Sequence, residues 1–403
     1  VIDLEEARGT VLAGCTRLPA ARVRIDDALG LVLAEEVRSA QAVPPFANTA
    51  MDGFALRAAD TAGAPVALTV VGTIAAGSPP DIEVGEGEAV RIMTGAPIPP
   101  GADAVIMVER TQPAEDGGTV LVLDEVPVGN HVRPAGEDVP GGSVVFEAGT
   151  VLTAGHLGVL ASVGLFDAPV YRRPRVGVLS TGDELVDRGG VDLKPGQIFD
   201  ANRHTLLALV AQAGAVPVDL GCARDDESAI TSAVERGVRE CDALITSGGV
   251  SVGDFDYVKV VLDKLSGGTM RWMQVAIKPA KPLAFGVVDG VPVFGLPGNP
   301  VSSMVSFELF ARPGIQKLLG APGPYRQSVL AVADEPLPRP PDGKTHFVRV
   351  RAEFGADGRV HVRSSGGQAS NLLRSMALAN ALAVLPDGDG VGAGADVEAL
   401  LLA

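Results

Sequence analysis

The chain reads as a multidomain α/β plus β protein: a central doubly wound α/β domain, an inserted β-domain upstream of it, and a C-terminal β-barrel. Three observations predict that class. Between residues 175 and 265, continuous apolar runs alternate with helical segments, at 176–179, 203–213, 216–220, 227–240, 243–246 and 257–265. This βαβ order implies a parallel sheet with helices on both faces, and ligands of such sheets sit at the carboxyl ends of the strands. Between residues 41 and 140, short β-type runs at 66–71, 104–108 and 119–126 alternate with Gly/Pro turns. After Gly320 a Pro-rich linker at 336–341 leads into further β-runs at 346–352, 359–363 and 381–385, a compact barrel or sandwich.

The remaining segments are helical. Leu4, Val11 and Leu12 recur on a helical period within 2–15, residues 26–37 read as a short helix followed by a strand, and helical character returns at 154–163. The expected organisation is therefore a discontinuous helical linker domain at 1–40 and 141–170, a β-domain at 41–140 inserted into it, an α/β domain at 171–320, and a β-domain at 321–403.

Composition restricts the function. Acids outnumber bases 49 to 33 over 403 residues, a net charge of −16. That field repels nucleic acid, and any anionic ligand needs a local basic pocket to override it. Cys15, Cys222 and Cys241 have no metal-ligand spacing and no disulfide pattern. No signal peptide is recognisable and no apolar run reaches the roughly 18 residues of a membrane span, so the expectation is a cytoplasmic protein without membrane or nucleic-acid partners.

Several motifs carry chemistry. The run at 243–246 leads into Ser247-Gly248-Gly249-Val250-Ser251-Val252-Gly253-Asp254, where glycines at a strand end let backbone N–H groups converge on a phosphate. The same residues match G-x-S-x-G, the nucleophile elbow of a hydrolase, with His346 and His361 downstream as bases. Gly248 loosens a turn that the elbow needs tight, and the cradle is the favoured reading. Glu184 in Thr181-Gly182-Asp183-Glu184-Leu185 follows one strand and Asp225 another. Two acids at such strand ends suit Mg²⁺ holding substrate phosphates, and helix N-capping is the equal alternative for each.

Lys278-Pro279-Ala280-Lys281-Pro282 sets two cations in a stretch where each proline restricts the residue before it. In an acidic protein this pair is placed to attract an oxyanion. Leu296-Pro297-Gly298-Asn299-Pro300-Val301-Ser302 opens a helix and offers free N–H groups and a hydroxyl at its positive end, or is simply a stiff turn. Asn48-Thr49-Ala50-Met51-Asp52-Gly53-Phe54-Ala55 and Arg91-Ile92-Met93-Thr94-Gly95-Ala96-Pro97 read singly as turns. Gly343-Lys344-Thr345 has Pro338 where a P-loop needs its first glycine, and Asp387, Asp389, Gly392 and Glu398 form a calcium-loop echo broken by Val391.

Taken in order, these motifs together with Gly136-Glu137-Asp138 resemble the MoeA family, the molybdopterin molybdenumtransferases, and the gephyrin E domain over essentially the whole chain. The resemblance implies an elongated four-domain protomer whose α/β domain is similar to the molybdopterin adenylyltransferase fold. It implies a homodimer with its active site between the α/β domain of one subunit and domains of the other. The implied reaction converts adenylyl-molybdopterin and molybdate into molybdenum cofactor and AMP, with Mg²⁺ required, and transient contact with other molybdenum-cofactor proteins is expected.

Residue by residue, Asp52 and Glu184 match acids needed for activity, and Asp225 a Mg²⁺ ligand. Ser247, Gly248, Gly249, Ser251 and Asp256 match the motif that holds nucleotide and pterin phosphates. Lys278, Lys281, Ser302, Arg349 and Ser370 match positions associated with molybdate, and Thr94 and Asp138 belong to further family motifs. Near the C-terminus the chain departs from many relatives, with Gly367-Gln368-Ala369-Ser370-Asn371 where they have Ser-His after the glutamine. Competing readings are a molybdopterin adenylyltransferase, which needs no domains beyond the α/β core, and a non-catalytic scaffold, which has no use for Asp52, Glu184 and the lysine pair.

Overall fold

The computed structural model describes residues 1–115, 117–187, 189–249 and 257–402. The chain forms two compact units. One comprises Val1–Val23, Gly30–Ala34 and Pro169–Ala403, and the other Arg24–Leu29 and Glu35–Ala168. Helix α1 (Leu4–Ala13) opens the chain, with the Asp3 carboxylate accepting the Glu6 N–H at 2.7 Å as its N-cap.

The second unit is built on a six-stranded mixed sheet of β1 (Gly53–Leu56), β2 (Val66–Ile74), β3 (Glu88–Ile92), β4 (Ala104–Met107), β5 (Thr111–Pro113) and β6 (Thr119–Val122), in the order β4-β1-β3-β2-β6-β5. Period-two alternation sorts its side chains. Phe54, Leu56, Leu68, Ile106 and Val122 pack on one face, and Ala55, Ile74, Val90, Ile92 and Val105 on the other. Gly53 begins β1 because the backbone leaves no choice: a Cβ there would stand 1.9 Å from the Ile106 carbonyl oxygen of β4. The unit also holds two short antiparallel pairs, Asn48–Thr49 with Val132–Arg133 and Val37–Arg38 with Val144–Phe146, and the helix α2 (Ala154–Ser162).

The first unit contains the α/β sheet. Its elements are β7 (Arg175–Thr181), α3 (Ala201–Gln212), β8 (Val216–Ala223), α4 (Glu227–Glu240), β9 (Ala243–Ser247), α5 (Tyr257–Leu265), β10 (Arg271–Gln274), β11 (Pro282–Val288), β12 (Val291–Leu296), α6 (Pro300–Ser306) and α7 (Arg312–Leu318). The strand order is β8-β7-β9-β12-β11-β10. Leu179, Leu244 and Val293 turn to one face, where Ile230, Val234, Val258 and Val261 of α4 and α5 cover them. The alternate residues Val178, Ile245 and Phe294 turn to the other, where α3 lies on β7 and α7 packs Gly314 against the Phe294 ring.

The sheet is doubly wound as expected, yet it is not parallel throughout. β8, β7, β9 and β12 are parallel, whereas β11 runs antiparallel to β12 and β10 antiparallel to β11. The reason is local. β11 turns back through Asp289-Gly290, with φ of 48° and 84°, the two left-handed residues of a tight hairpin turn.

The C-terminal strands β13 (Ser328–Ala333), β14 (Thr345–Phe354), β15 (Val360–Ser364), β16 (Ala381–Leu385) and β17 (Asp396–Leu401) close into a five-stranded barrel, ordered β13-β17-β16-β14-β15 with β15 returning to β13. Its interior is filled by small residues, among them Ala331, Ala333, Ala381, Ala383 and Ala399, around Val350, Val362 and Val397. The Pro-rich stretch is more than a linker: Leu337–Pro338 pairs with Gly390–Val391, and Arg339 is buried. Asp387, Asp389 and Gly392 of the calcium-loop echo lie in the connection between β16 and β17, which pair antiparallel, and Glu398 lies within β17. No helix among the described residues is long and apolar enough to cross a membrane.

Candidate active site

Three strand ends converge at the glycine loop. Ser180 of β7 pairs with Ser247 of β9, which pairs with Leu296 of β12. Gly248 donates its N–H to the Leu296 carbonyl at 3.1 Å. Its φ is 98°, and a Cβ would lie 3.0 Å from the Thr181 carbonyl oxygen, so glycine is required by conformation and by crowding together. Gly249 follows at φ 68°. Asn202, in the first turn of α3, donates its Nδ2 to Ser247 Oγ at 2.8 Å and to the Gly298 carbonyl at 2.7 Å, tying the glycine loop to the turn before α6. Ser251 and Asp256 lie outside the described residues.

The acids stand at the ends of neighbouring strands. Glu184 and Asp225, both exposed, follow β7 and β8. The Asp183 N–H donates to Asp225 Oδ2 at 3.4 Å and the Asp225 N–H to Asp183 Oδ1 at 3.3 Å, so the two loops hold each other in place. Helix capping is done by other residues: Asp226 caps α4 and Asp200 caps α3. The capping alternative therefore fails for both predicted acids. No cluster of three or more metal-capable side chains occurs among the described residues. Two carboxylates nonetheless suit Mg²⁺, which keeps several waters and completes its shell with phosphate oxygens.

In the same unit, a cavity of about 1000 Å³ brings together Lys278, Lys281, Ser302 and Ser370. Ile277–Lys278 forms a two-residue strand that pairs in parallel with Thr345 and His346 of β14, which fixes the lysine loop against the barrel. Lys278 and Lys281 are exposed and form no ion pair among the described residues, whereas Ser302 is buried near the start of α6. The helix start is less open than its sequence suggests, because the Val301 N–H donates to the Ser370 carbonyl at 3.1 Å. That bond draws the Ser370 loop onto α6.

Arg349, expected at a molybdate position, is not among the residues lining the cavity. It is fully buried. Its Nη2 donates to the carbonyls of Gly367 at 2.7 Å and Ala369 at 3.2 Å, and its Nε to Ser375 Oγ at 3.3 Å. Nη1 is buried without a partner, and burial lowers the guanidinium's pKa. Arg349 thus sits behind the loop that carries Ser370 and clamps it.

Asp52 and Thr94 meet in the other unit. The Thr94 N–H and hydroxyl both donate to Asp52 Oδ1, at 2.6 and 2.7 Å. These two bonds, the backbone one first, hold the carboxyl below its ordinary range, with Arg91 adding to the effect. Asp138, also in this unit, is exposed and donates its backbone N–H to the Val43 carbonyl at 3.0 Å.

Sequence reasoning missed Asn202, Arg339 and Gln368 as organisers of the site. Gln368 brackets the Arg349 peptide, accepting its N–H at 3.0 Å and donating to its carbonyl at 3.1 Å. Arg339 donates to the carbonyls of Lys344 at 2.6 Å and Pro386 at 2.7 Å and to Asp387 at 2.5 Å, shaping the cavity wall. Asn202 was open to discovery as a polar residue just after the cap Asp200, at the strand-end edge of the sheet.

The MoeA N-terminal region (domain I and II) matches residues 2–164, the probable molybdopterin binding domain residues 177–317, and the MoeA C-terminal region (domain IV) residues 331–402. The chain is 41% identical to molybdopterin molybdenumtransferase 2 of Mycobacterium tuberculosis, over 91% of this chain and 90% of that one. It is 39% identical to the molybdopterin molybdenumtransferase of Haemophilus influenzae, over 98% of each. The crystal structure of a molybdopterin biosynthesis MoeA protein from Pyrococcus horikoshii superposes with a TM-score of 0.83 at 32% identity, covering 100% of this chain and 99% of that one. A strand-end glycine loop and a lysine-lined cavity in one unit, with these likenesses along nearly the full length, place the chain in the MoeA family, and it is a molybdopterin molybdenumtransferase.

Proposed function

We propose that this chain catalyses the Mg²⁺-dependent insertion of molybdate into adenylyl-molybdopterin, releasing AMP. The observation that carries the reading is the cavity that gathers Lys278, Lys281, Ser302 and Ser370 in the unit that also holds the Ser247-Gly248-Gly249 loop. Molybdate is a dianion and the second substrate carries a pyrophosphate, so their approach costs Coulomb energy that grows as water leaves. Lys278 and Lys281 offset that repulsion at the oxyanion, with Ser302 and Ser370 hydroxyls as donors. Arg349 contributes from behind the loop by fixing where Ser370 stands. Ser247, Gly248 and Gly249, with Ser251 and Asp256, hold the nucleotide and pterin phosphates.

Glu184 and Asp225 are the residues that would hold Mg²⁺. When bound, the ion neutralises the pyrophosphate and polarises the phosphoanhydride. Asp52 serves by orientation: a carboxylate held below its ordinary pKa by Thr94 is a weak base, suited to fixing a water or substrate group and ill suited to removing a proton near neutrality. Asp138 belongs with Asp52 and Thr94 as a further family position. A homodimer acting in the cytoplasm, with transient contact to other molybdenum-cofactor proteins, completes the reading.

Purified chain supplied with adenylyl-molybdopterin, Mg²⁺ and molybdate is expected to release AMP, with release dependent on both metal species. AMP release that is indifferent to molybdate overturns the reading. Adenylylation of molybdopterin by ATP in place of insertion would support the adenylyltransferase alternative.

A further inference from the structure

His346 lines the same cavity as the lysine pair and is absent from the roles assigned above. It is 6% exposed, and its backbone pairs with Lys278 across the parallel bridge, so the imidazole and the first lysine flank one stretch of the cavity wall. Its Nε2 lies 3.1 and 3.2 Å from the two oxygens of Asp342. A carboxylate there fixes the proton on Nε2 and the orientation of the ring. Nδ1 is left as the ring nitrogen with no hydrogen-bond partner among the described residues.

The surrounding charges come from every neighbouring element. Lys344, just before β14, places Nζ 3.1 Å from Asp342 Oδ2, and Arg339 places Nη2 3.0 Å from Asp342 Oδ1 and 2.5 Å from Asp387. Lys278, Lys281 and Glu335 line the cavity, and the paired residue of β16 is the neutral Leu385. Asp342 stays ionised: burial opposes this, but hydrogen bonds from Lys344 and His346 and their charges prevail and bring it to about 2.

We propose that His346 is a proton-accepting anchor for the oxyanion: binding of a tetrahedral dianion in this cavity draws one proton from solvent onto Nδ1, which then donates a hydrogen bond to an anion oxygen. The proposal rests on the reading of this cavity as the molybdate site. The only bond formed is N–H, the buffer supplies the proton, and the Nε2 proton stays with Asp342. Burial first, then Arg339 and Lys278, lower the pKa of His346 against the pull of Asp342, so the ring is neutral near pH 7. A dianion within hydrogen-bond reach favours the charged form and reverses that balance. The imidazole is thus an adjustable positive charge beside two permanent ones.

Calorimetric titration of the full chain with sodium molybdate at pH 7.5, in two buffers of different ionisation enthalpy, tests this. The binding enthalpy is expected to differ between buffers by an amount reporting uptake of up to one proton per molybdate, and affinity to rise up to tenfold per pH unit as pH falls towards 6. In H346N, and in H346Q as a second variant, folding checked by the thermal transition, proton uptake is expected to vanish and the pH dependence to flatten. Wild-type binding with equal enthalpy in both buffers, or a folded variant that takes up the same proton, overturns the role of His346 while leaving the cavity as the molybdate site. Absence of molybdate binding to the wild-type chain overturns both.

Discussion

Replacing Arg349 by Met separates a clamp from a ligand. The guanidinium is fully buried, and its side chain makes three hydrogen bonds, two to loop carbonyls and one to Ser375. A methionine keeps much of the volume but removes the Ala369 carbonyl's side-chain donor and leaves the Gly367 carbonyl with the Ser375 hydroxyl alone, at 2.8 Å. The three lost hydrogen bonds are worth about 0.5–1.5 kcal/mol each. The relief from burying an uncompensated charge returns part of that cost, so about 2–3 kcal/mol of net destabilisation is expected. At about 2–4 °C per kcal/mol for a unit of this size, the melting temperature should fall by roughly 5–10 °C. Differential scanning calorimetry reads the transition, and molybdate titration of the still folded variant reads the site. Molybdate binding should weaken in step with loosening of the Ser370 loop, with R349K recovering part of both properties. An R349M protein that melts like the wild type yet no longer binds molybdate would refute the clamp and make Arg349 a direct contact.

Further outcomes follow from the same geometry. T94V removes one of the two donors that hold the Asp52 carboxyl low, so the acid limb of the rate profile should move to higher pH; the carboxylate form is lost as pH falls through that pKa, and an unmoved limb counts against Asp52 acting as the ionised group. G53A drives a Cβ to 1.9 Å from the Ile106 carbonyl and should cost about 3 kcal/mol or more in urea unfolding, and wild-type stability would show that β1 and β4 do not approach as described. E184Q should raise the Mg²⁺ concentration for half-maximal rate at least tenfold while leaving molybdate affinity unchanged, and equal loss of both would remove Glu184 from the metal site. K278A/K281A removes two cations facing a dianion, four unit-charge attractions of about 1 kcal/mol each at water-like screening, reduced by salt to about 2 kcal/mol in all. Molybdate affinity should then fall roughly 30-fold with adenylate binding intact, and equal loss of both ligands defeats the division of labour.

Much of this was legible in the sequence because it follows from periodicity and turn chemistry. Apolar runs of strand length alternating with helices, such as 176–179 and 243–246, announce the α/β core, and Ser247-Gly248-Gly249 announces its loop. The antiparallel return of β11 escaped although Asp289-Gly290 between two apolar runs is a strong hairpin signal, since the βαβ order dominated the reading. Arg339, and the burial of Arg349, escaped for a different reason. A buried arginine is recognised only by the carbonyls that surround it, and those come from residues 1 to 47 positions away for Arg339. The pairing of Lys278 with His346 is likewise a tertiary fact, invisible to any local pattern.

The most direct test of the central claim is anomalous diffraction from crystals of this chain soaked in tungstate, whose heavy centre stands in for molybdenum in the tetrahedral dianion. The account predicts a strong peak in the cavity of the first unit, within hydrogen-bond reach of the Lys278 and Lys281 ammonium groups and the Ser302 and Ser370 hydroxyls. A peak elsewhere on the protein, with those four side chains unliganded, would contradict it.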